Sequence, residues 1–231
     1  MYWGYFYDYY YIVLVVPMIV LSVIAQVKVK SAYSKYSKTA NSRGLTGASA
    51  AYAVLNHYGI NNVAVEQVAG NLTDHYDPRT NVIRLSQGVY NSTSVAAVGI
   101  ACHEAGHAAQ HAEGYAPIKI RNTILPVCNI GSSLGISLAL IGIFMSFEPL
   151  IVIGICLYAA VTVFQLVTLP VEFNASRRAV EVIEGSGLLS EDEQSGAKKV
   201  LTAAAMTYVA ALAVSAANLL RLILRYGNRR R

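Results

Sequence analysis

The chain has 231 residues, of which 55% are apolar and only 13% are charged, and its mean hydropathy is +0.42. The charged share is about half of the ~25% that is usual for a soluble domain. This composition excludes a disordered chain and argues against an ordinary soluble enzyme. The apolar residues should therefore be clustered in membrane-spanning segments, and the net charge of +5 should lie between them.

Four apolar segments predict transmembrane helices, because each approaches the ~20 residues needed to cross about 30 Å of hydrocarbon. They cover residues 9–27, 124–147, 150–171 and 200–220. The first is not a cleavable signal peptide, since it lacks a basic start and its apolar run is too long. Aromatic residues that suit a membrane interface precede it: Tyr2, Trp3, Tyr5, Phe6 and Tyr7.

These segments predict a mainly α, multi-span helical membrane protein that carries a small α+β domain. The expected parts are a first transmembrane helix (1–28), a catalytic domain (29–121), two transmembrane helices (122–171), a second catalytic segment (172–199) and a fourth transmembrane or interfacial helix with a basic tail (200–231). Two spans separate the two catalytic parts, so both emerge on the same face of the membrane.

The distribution of lysine and arginine predicts which face that is. Basic residues border the polar parts, and the positive-inside rule therefore places the catalytic domain in the cytoplasm. The C-terminus opposes this prediction, because Arg221, Arg225 and residues 229–231 would lie outside if the last segment spans. The bordering residues are Lys28, Lys30, Lys35, Lys38, Arg43, Arg121, Arg177, Arg178, Lys198 and Lys199.

The first polar part contains signals for one helix and two short strands. Residues 47–59 are rich in alanine, with Thr46 as a plausible N-cap and Gly59 as the stop, which predicts a helix. Residues 63–68 and 81–86 are short β-branched runs and predict strands.

The sharpest motif is HEAGH at residues 103–107, within an apolar helical run that covers residues 94–112. In a helix His103 and His107 lie one turn apart on one face, so both imidazoles can bind one metal ion. Glu104 lies beside them, placed to polarise a water, and neutral imidazoles suit Zn²⁺. The alternative is a helix with two surface histidines, but polar groups in so apolar a helix need a partner.

A catalytic zinc ion needs a third protein ligand, and the residues leave several candidates. His111 lies about 12 Å along the helix axis from His103, so one ion cannot bind both. Glu113 has the spacing of a metzincin ligand, but Gln110 stands where that arrangement needs glycine. His75 remains open, and so does Glu172, which follows the third span directly and is otherwise explained as a solvated carboxylate at a helix start.

HEAGH followed much later by ExxxS on a second helix resembles the gluzincin pattern of membrane-bound zinc proteases such as the HtpX heat-shock protease and the CAAX prenyl protease. The chain is more similar to the YugP-like neutral zinc metallopeptidases of bacteria, through residues 25–37, 44–47, 72–86, 94–117 and 169–179. The resemblance implies a protease of the bacterial plasma membrane with one Zn²⁺ per chain. It implies His103, His107 and Glu172 as ligands and Glu104 as general base. The related proteases carry aspartate where Ser176 stands, so Ser176 would orient a ligand histidine more weakly.

Other polar residues are candidates for supporting roles. His75, Tyr76 and Arg177 are possible oxyanion stabilisers or supports of the ligands, although loop or lipid-facing positions explain them equally well. In zinc proteases of this general kind an edge strand beside the active-site helix pairs with an extended substrate. The strand at residues 81–86 is a candidate for that role, or else it only covers the helix.

The predicted function is hydrolysis of peptide bonds by a membrane-bound zinc metallopeptidase. Its expected partners are the lipid bilayer and a peptide or membrane-protein substrate, and no pattern indicates nucleic acid. The main alternative is a non-catalytic membrane protein with a structural or sensory zinc site, which would not need Glu104. A site-2-type intramembrane protease is disfavoured, because the predicted spans contain no aspartate ligand. A scaffold or transporter with an incidental motif is a further alternative.

Overall fold

The structure is a computed structural model that describes residues 8–227. The predicted aromatic cluster before the first span and the last three arginines lie outside the described residues. A π-helical turn (Tyr11–Val15) leads directly into the first α-helix. The helices are α1 (Val16–Tyr36), α2 (Gly47–His57), α3 (Gln87–Tyr90), α4 (Val95–Ala112), α5 (Ala116–Met145), α6 (Glu148–Gly185) and α7 (Glu191–Gly227).

Four helices within residues 8–227 are long and apolar enough to cross a membrane. They are α1 with its preceding turn, α5, α6 and α7, which correspond to the four predicted spans. Together with a small sheet, they confirm the predicted fold class, a mainly α membrane protein with a small α+β domain.

Helix α6 extends well beyond the predicted third span. It continues through Pro170 and includes Glu172, so this carboxylate lies inside a long helix rather than at the start of one. Proline removes one backbone donor, but apolar helices tolerate it where neighbouring groups satisfy the freed carbonyl. The predicted transmembrane segment at residues 150–171 and the first part of the predicted catalytic segment at residues 172–199 therefore belong to one continuous helix.

The chain divides into two compact units, and the first contains the described residues 8–25, 119–169 and 207–227. In this unit α5 and α6 approach closely at small residues. A Cβ atom on Gly131 would collide with the Leu157 carbonyl oxygen, and one on Gly154 with the Ala139 backbone nitrogen. Such close backbone approach is how helices associate in lipid, where no hydrophobic driving force acts between them. Thr162 and Ser215 add a hydroxyl hydrogen bond of 2.8 Å.

The second unit contains residues 26–118 and 170–206, and it holds the HEAGH motif in a small α+β fold. Helix α2 begins as predicted, with Thr46 Oγ1 accepting a hydrogen bond from Ser49 N. It ends at His57, shortly before Gly59, whose φ of +67° is the conformation that favours glycine. The core consists of alanine and β-branched residues from α2, α4, the sheet and the ends of α6 and α7, including Ala50, Val54, Ile83, Val98, Ala105 and Val182.

The sheet corrects one prediction about substrate binding. Its strands are β1 (Ala64–Val68), β2 (His75–Asp77) and β3 (Val82–Ser86), in the spatial order β1-β3-β2. β3 is parallel to β1 and antiparallel to β2. The predicted strand at residues 81–86 is therefore the central strand, and the prediction that it forms the edge is wrong. Its burial on both faces explains its apolar, β-branched sequence.

Candidate metal centre

Helix α4 presents the two motif histidines to one point. It begins at a capped end, where Ser94 Oγ accepts a hydrogen bond from Ala97 N. Nine residues further along, His103 and His107 lie one turn apart, and their ring centroids are 4.7 Å from each other. Both side chains are largely buried. The apolar helix therefore holds two imidazoles side by side in a partly desolvated position.

Glu172 on α6 completes a group of three ligand-type side chains. Its Oε2 lies 3.4 Å from His103 Nε2 and 3.6 Å from His107 Nε2. The residue is only 2% exposed. Among residues 8–227, these three form a group whose ligand atoms all lie within 4.8 Å of one another. Two imidazole nitrogens and one carboxylate oxygen are a donor set that suits Zn²⁺ and leaves a position open.

Each histidine is held by a hydrogen bond at its other ring nitrogen. His103 Nδ1 lies 3.1 Å from Ser176 Oγ on α6. His107 Nδ1 lies 3.0 Å from Gln110 Oε1 on α4. These contacts turn both Nε2 atoms towards Glu172, which is the arrangement that metal-binding histidines need.

Charge in the site favours a cation. Burial opposes a charged ring at His107, but hydrogen bonding to Glu172 and the charges of Glu104 and Glu172 outweigh it, and the pKa of His107 is raised. The negative charges of Glu104 and Glu172 favour a proton on this ring in the metal-free protein. The same two carboxylates would stabilise a metal cation at this position. The residues present therefore fit a zinc ion in both geometry and charge.

Glu104 contacts strand β2 of the sheet. Its Oε2 accepts a hydrogen bond of 3.0 Å from the backbone N–H of Tyr76. This contact fixes the carboxylate beside the two histidines. Sequence reasoning selected Tyr76 for its side chain, whereas the structure brings its backbone to the site.

The other sequence candidates for metal binding lie elsewhere. The exposed His75 ring contacts the Thr73 carbonyl through Nδ1 at 2.8 Å. The His111 ring packs edge-on against the Tyr76 ring, with centroids 5.9 Å apart. Glu113 accepts two hydrogen bonds from the Arg178 guanidinium, at 2.9 and 2.7 Å. The structure joins none of these three candidates to His103, His107 and Glu172.

Two proposed oxyanion stabilisers are also engaged away from the histidines. The Tyr76 hydroxyl donates to Asn81 Oδ1 at 2.9 Å. Arg177 is exposed, and its Nε lies 3.7 Å from Glu181 one turn along α6. These contacts of the two side chains go to residues other than His103, His107 and Glu172, and their role at the site stays a prediction.

Sequence reasoning missed two polar residues of the site, Gln110 and Asn174. The Gln110 side chain donates to the Val171 carbonyl at 2.7 Å and to Asn174 Oδ1 at 2.9 Å. A signal for Gln110 was present: it lies three residues after His107, on the same helix face, as a lone amide among alanines. No comparable signal existed for Asn174, because its role depends on how α4 and α6 pack.

Comparison with known proteins bears on the chemistry of this site. A family model described as "Putative neutral zinc metallopeptidase" matches residues 11–227. A curated protein of Bacillus subtilis (strain 168), "Putative membrane protease YugP", is 47% identical over 220 residues, which are 95% of this chain and 98% of that protein. No solved structure matches the chain significantly.

Proposed function

Because the chain belongs to the family described as "Putative neutral zinc metallopeptidase", we propose that it is a membrane-bound endopeptidase that uses one zinc ion. The observation that carries the proposal is the convergence of His103, His107 and Glu172 from two helices, with Glu104 beside them. A protein of this family with three donors around one point and a nearby carboxylate has the parts that zinc-assisted hydrolysis requires.

His103, His107 and Glu172 would hold the zinc ion. When bound, zinc supplies Lewis acidity, which lowers the pKa of a water molecule towards 7 and polarises the substrate carbonyl. The protein itself contributes the placement of the donors, since both rings are oriented through Nδ1 and Glu172 is buried.

Glu104 would move the proton. It accepts a proton from the attacking water as the new carbon–oxygen bond forms, and it delivers that proton to the amine nitrogen as the carbon–nitrogen bond breaks. The hydrogen bond from Tyr76 N to Oε2 keeps the carboxylate oriented. A carboxylate has about four lone-pair positions, so one such bond leaves it able to accept the proton.

β2 would bind the substrate as an extended chain. Its inner side pairs with β3, while the Tyr76 N–H reaches Glu104 and thus points away from β3. The N–H and C=O of one strand residue point the same way, so the outer edge of β2 faces the site. The Tyr76 N–H already donates to Glu104, so an extended peptide at this edge would donate to the Tyr76 carbonyl and lie with a scissile bond beside Glu104. The substrate is therefore an unfolded or extended protein segment rather than a folded surface.

The catalytic unit would face the cytoplasm. Basic residues border it in the sequence, in agreement with the positive-inside rule. Arg221 and Arg225 seemed to oppose this orientation, but both bind the Asp8 carboxylate, at 2.8 and 2.6 Å. Their charge is partly neutralised, which weakens their influence on orientation. Labelling of cysteines introduced at Ser42 and at Glu148 in intact cells tests this; labelling of Ser42→Cys from outside would reverse the orientation.

The second candidate is a zinc site without catalysis, and Glu104 separates the two. The full-length protein in detergent should contain about one zinc per chain, a ratio that rests on the group of three donors found within residues 8–227, and should cleave an unfolded protein. Glu104→Gln should keep the zinc and lose the cleavage, whereas His103→Ala and Glu172→Ala should lose both. Glu66→Gln makes the same change at an exposed position of β1 and should retain both.

Three outcomes would distinguish a zinc protease from a structural zinc site. A wild-type protein without zinc after reconstitution would overturn the proposed function. A protein with zinc and no cleavage of any unfolded substrate would support the structural site. Cleavage by Glu104→Gln at the wild-type rate would remove Glu104 from the role of base.

A further inference from the structure

Gln110 is completely buried on α4 and touches both helices of the metal centre. We propose that Gln110 is a positioning residue that fixes which ring nitrogen of His107 is free to bind metal. It does so at the end of a series of hydrogen bonds whose direction is set by two groups, the Arg178 guanidinium, which only donates, and the Val171 carbonyl, which only accepts. The inference rests on the zinc site proposed above.

The first step orients Asn174 and begins at Arg178, because a guanidinium donates hydrogen bonds and cannot accept them. Two of its nitrogens donate to the Glu113 carboxylate, and its Nε donates to the Asn174 side chain at 2.8 Å. The Asn174 atom that faces Arg178 must therefore be the carbonyl oxygen, Oδ1. The ion pair with Glu113 anchors the guanidinium in this position.

The second step orients the Gln110 amide. One end of this amide lies 2.9 Å from Asn174 Oδ1 and 2.7 Å from the Val171 carbonyl oxygen. Both of these atoms are acceptors only, so the Gln110 end must be the NH₂ group. The other end, which lies 3.0 Å from His107 Nδ1, is then the carbonyl oxygen.

The third step sets the tautomer of His107. Because Gln110 Oε1 can only accept, His107 Nδ1 must carry a hydrogen. When the ring is neutral, its lone pair is then on Nε2, the atom that lies 3.6 Å from Glu172. His103 differs, because its Nδ1 faces the Ser176 hydroxyl, which can donate as well as accept. The two ligands are thus unequal, and His107 is the one prepared before metal arrives.

The same amide also restrains the carboxylate ligand. Its two acceptors, Val171 and Asn174, lie on either side of Glu172 in the sequence, in the same turn of α6. Gln110 therefore couples the orientation of one ligand to the position of another. Its loss should affect the metal affinity of the folded protein and not only the catalytic rate.

The test compares the full-length wild type with Gln110→Met, which roughly conserves volume but neither donates nor accepts in the same way. Imidazole ¹⁵N spectra of the metal-free protein, recorded at a pH where the His107 ring is neutral, report the tautomer, and competition with a chelator reports zinc affinity. We expect His107 to be protonated at Nδ1 in the wild type, mixed tautomers in Gln110→Met, and zinc affinity about 10–100-fold weaker in the variant. Asn174→Asp is the matched control, since a carboxylate still accepts from both neighbours, and it should keep the wild-type tautomer.

Gln110→Leu provides a second test if Gln110→Met does not fold. It also removes the amide oxygen that accepts from His107 Nδ1, so mixed His107 tautomers are expected again. A wild-type tautomer and wild-type zinc affinity in whichever of these variants folds would overturn the proposal. These readouts do not require cleavage. A wild-type protein that binds zinc but cleaves nothing would therefore contradict the proposed function and leave this inference intact. A Gln110→Met protein with the tautomer and zinc affinity of the wild type would contradict this inference and leave the proposed function intact.

Discussion

The carbonyl oxygen of Ala175 on α6 lies so close to Gly106 on α4 that a Cβ atom at residue 106 would be 2.6 Å from it. Gly106 stands between the motif residues Ala105 and His107, and Ala175 lies one turn after Glu172. The absence of a side chain at residue 106 therefore brings the two ligand-bearing helices within reach of one ion.

Gly106→Ala should separate α4 from α6 at the site, because the obstacle is backbone and cannot rotate away. We expect a clear loss of zinc affinity and a destabilisation of about 1–3 kcal/mol. Gly99→Ala is the control on the same helix, since its Cβ would meet Ala197 Cβ at 3.5 Å, an ordinary contact. Chelator competition and thermal unfolding in detergent measure both effects. Equal effects of the two substitutions would contradict the argument.

Removal of metal should destabilise the protein, because the proposed ligands lie on α4 and on α6 and a bound ion joins the two helices. Zinc at 1,000 times its dissociation constant would stabilise the folded state by about 4 kcal/mol. The melting temperature should therefore rise with zinc in the wild type and fall with chelator. The variant His103→Ala should respond little to either. A zinc-dependent shift of equal size in that variant would place the ion elsewhere.

Sequence reasoning found the features that depend on local pattern. The helix with His103 and His107, the capped start of α2 at Thr46 and the four apolar helices follow from periodicity, composition and capping residues. These signals lie within single segments, so they are visible before the chain is folded.

Features that depend on packing between segments were not predictable. The order of the strands is one, because nothing in residues 82–86 shows that β2 covers their outer side. The direction of the Gln110 amide is another, since its two acceptors, Val171 and Asn174, lie 61 and 64 positions away in the sequence. The three residues of β2 were also missed, because a strand so short carries no periodicity.

Ser176 should influence zinc binding less than Gln110 does. Its hydroxyl is a neutral partner of His103 Nδ1 at 3.1 Å and does not fix the direction of the hydrogen bond. Ser176→Ala should weaken zinc affinity by less than the roughly 10–100-fold expected at Gln110. Ser176→Asp places a charged acceptor beside the same nitrogen and should therefore increase the zinc affinity. Chelator competition ranks the three proteins; a stronger loss from Ser176→Ala than from Gln110→Met would reverse the proposed order.

Asp77 should make the β2–β3 hairpin sensitive to acid. Hydrogen bonds from the Thr80 hydroxyl, the Arg79 backbone and the Arg84 side chain lower the pKa of Asp77 from 3.8 to about 2. A pKa that is lower in the folded state stabilises the protein above the unfolded value, and this contribution is lost as the pH falls from about 4 to 2. Asp77→Asn should thus be less stable than the wild type at pH 7, with a difference that shrinks below pH 4. Thermal unfolding from pH 7 to pH 3 measures it, and a constant difference would contradict this assignment.

The ion pairs of Asp8 should be the strongest electrostatic contribution within the first unit. Its Oδ2 accepts hydrogen bonds from Arg221 Nε at 2.8 Å and Arg225 Nη1 at 2.6 Å, and the Asp8 and Arg221 side chains are only 15% and 9% exposed. Asp8→Asn leaves a largely buried arginine without its counter-charge, at a cost of about 3 kcal/mol.

Asp8→Asn combined with Arg221→Met should recover part of that loss, because the double variant no longer buries an uncompensated charge. Glu148→Gln is the control, since it removes a carboxylate charge from an exposed position of the same unit; we expect a change of about 0.5 kcal/mol or less. Thermal unfolding in detergent measures all three proteins. A double variant less stable than Asp8→Asn would mean that the contact of Arg221 with the Tyr11 ring stabilises the unit more than the unpaired charge of Arg221 destabilises it.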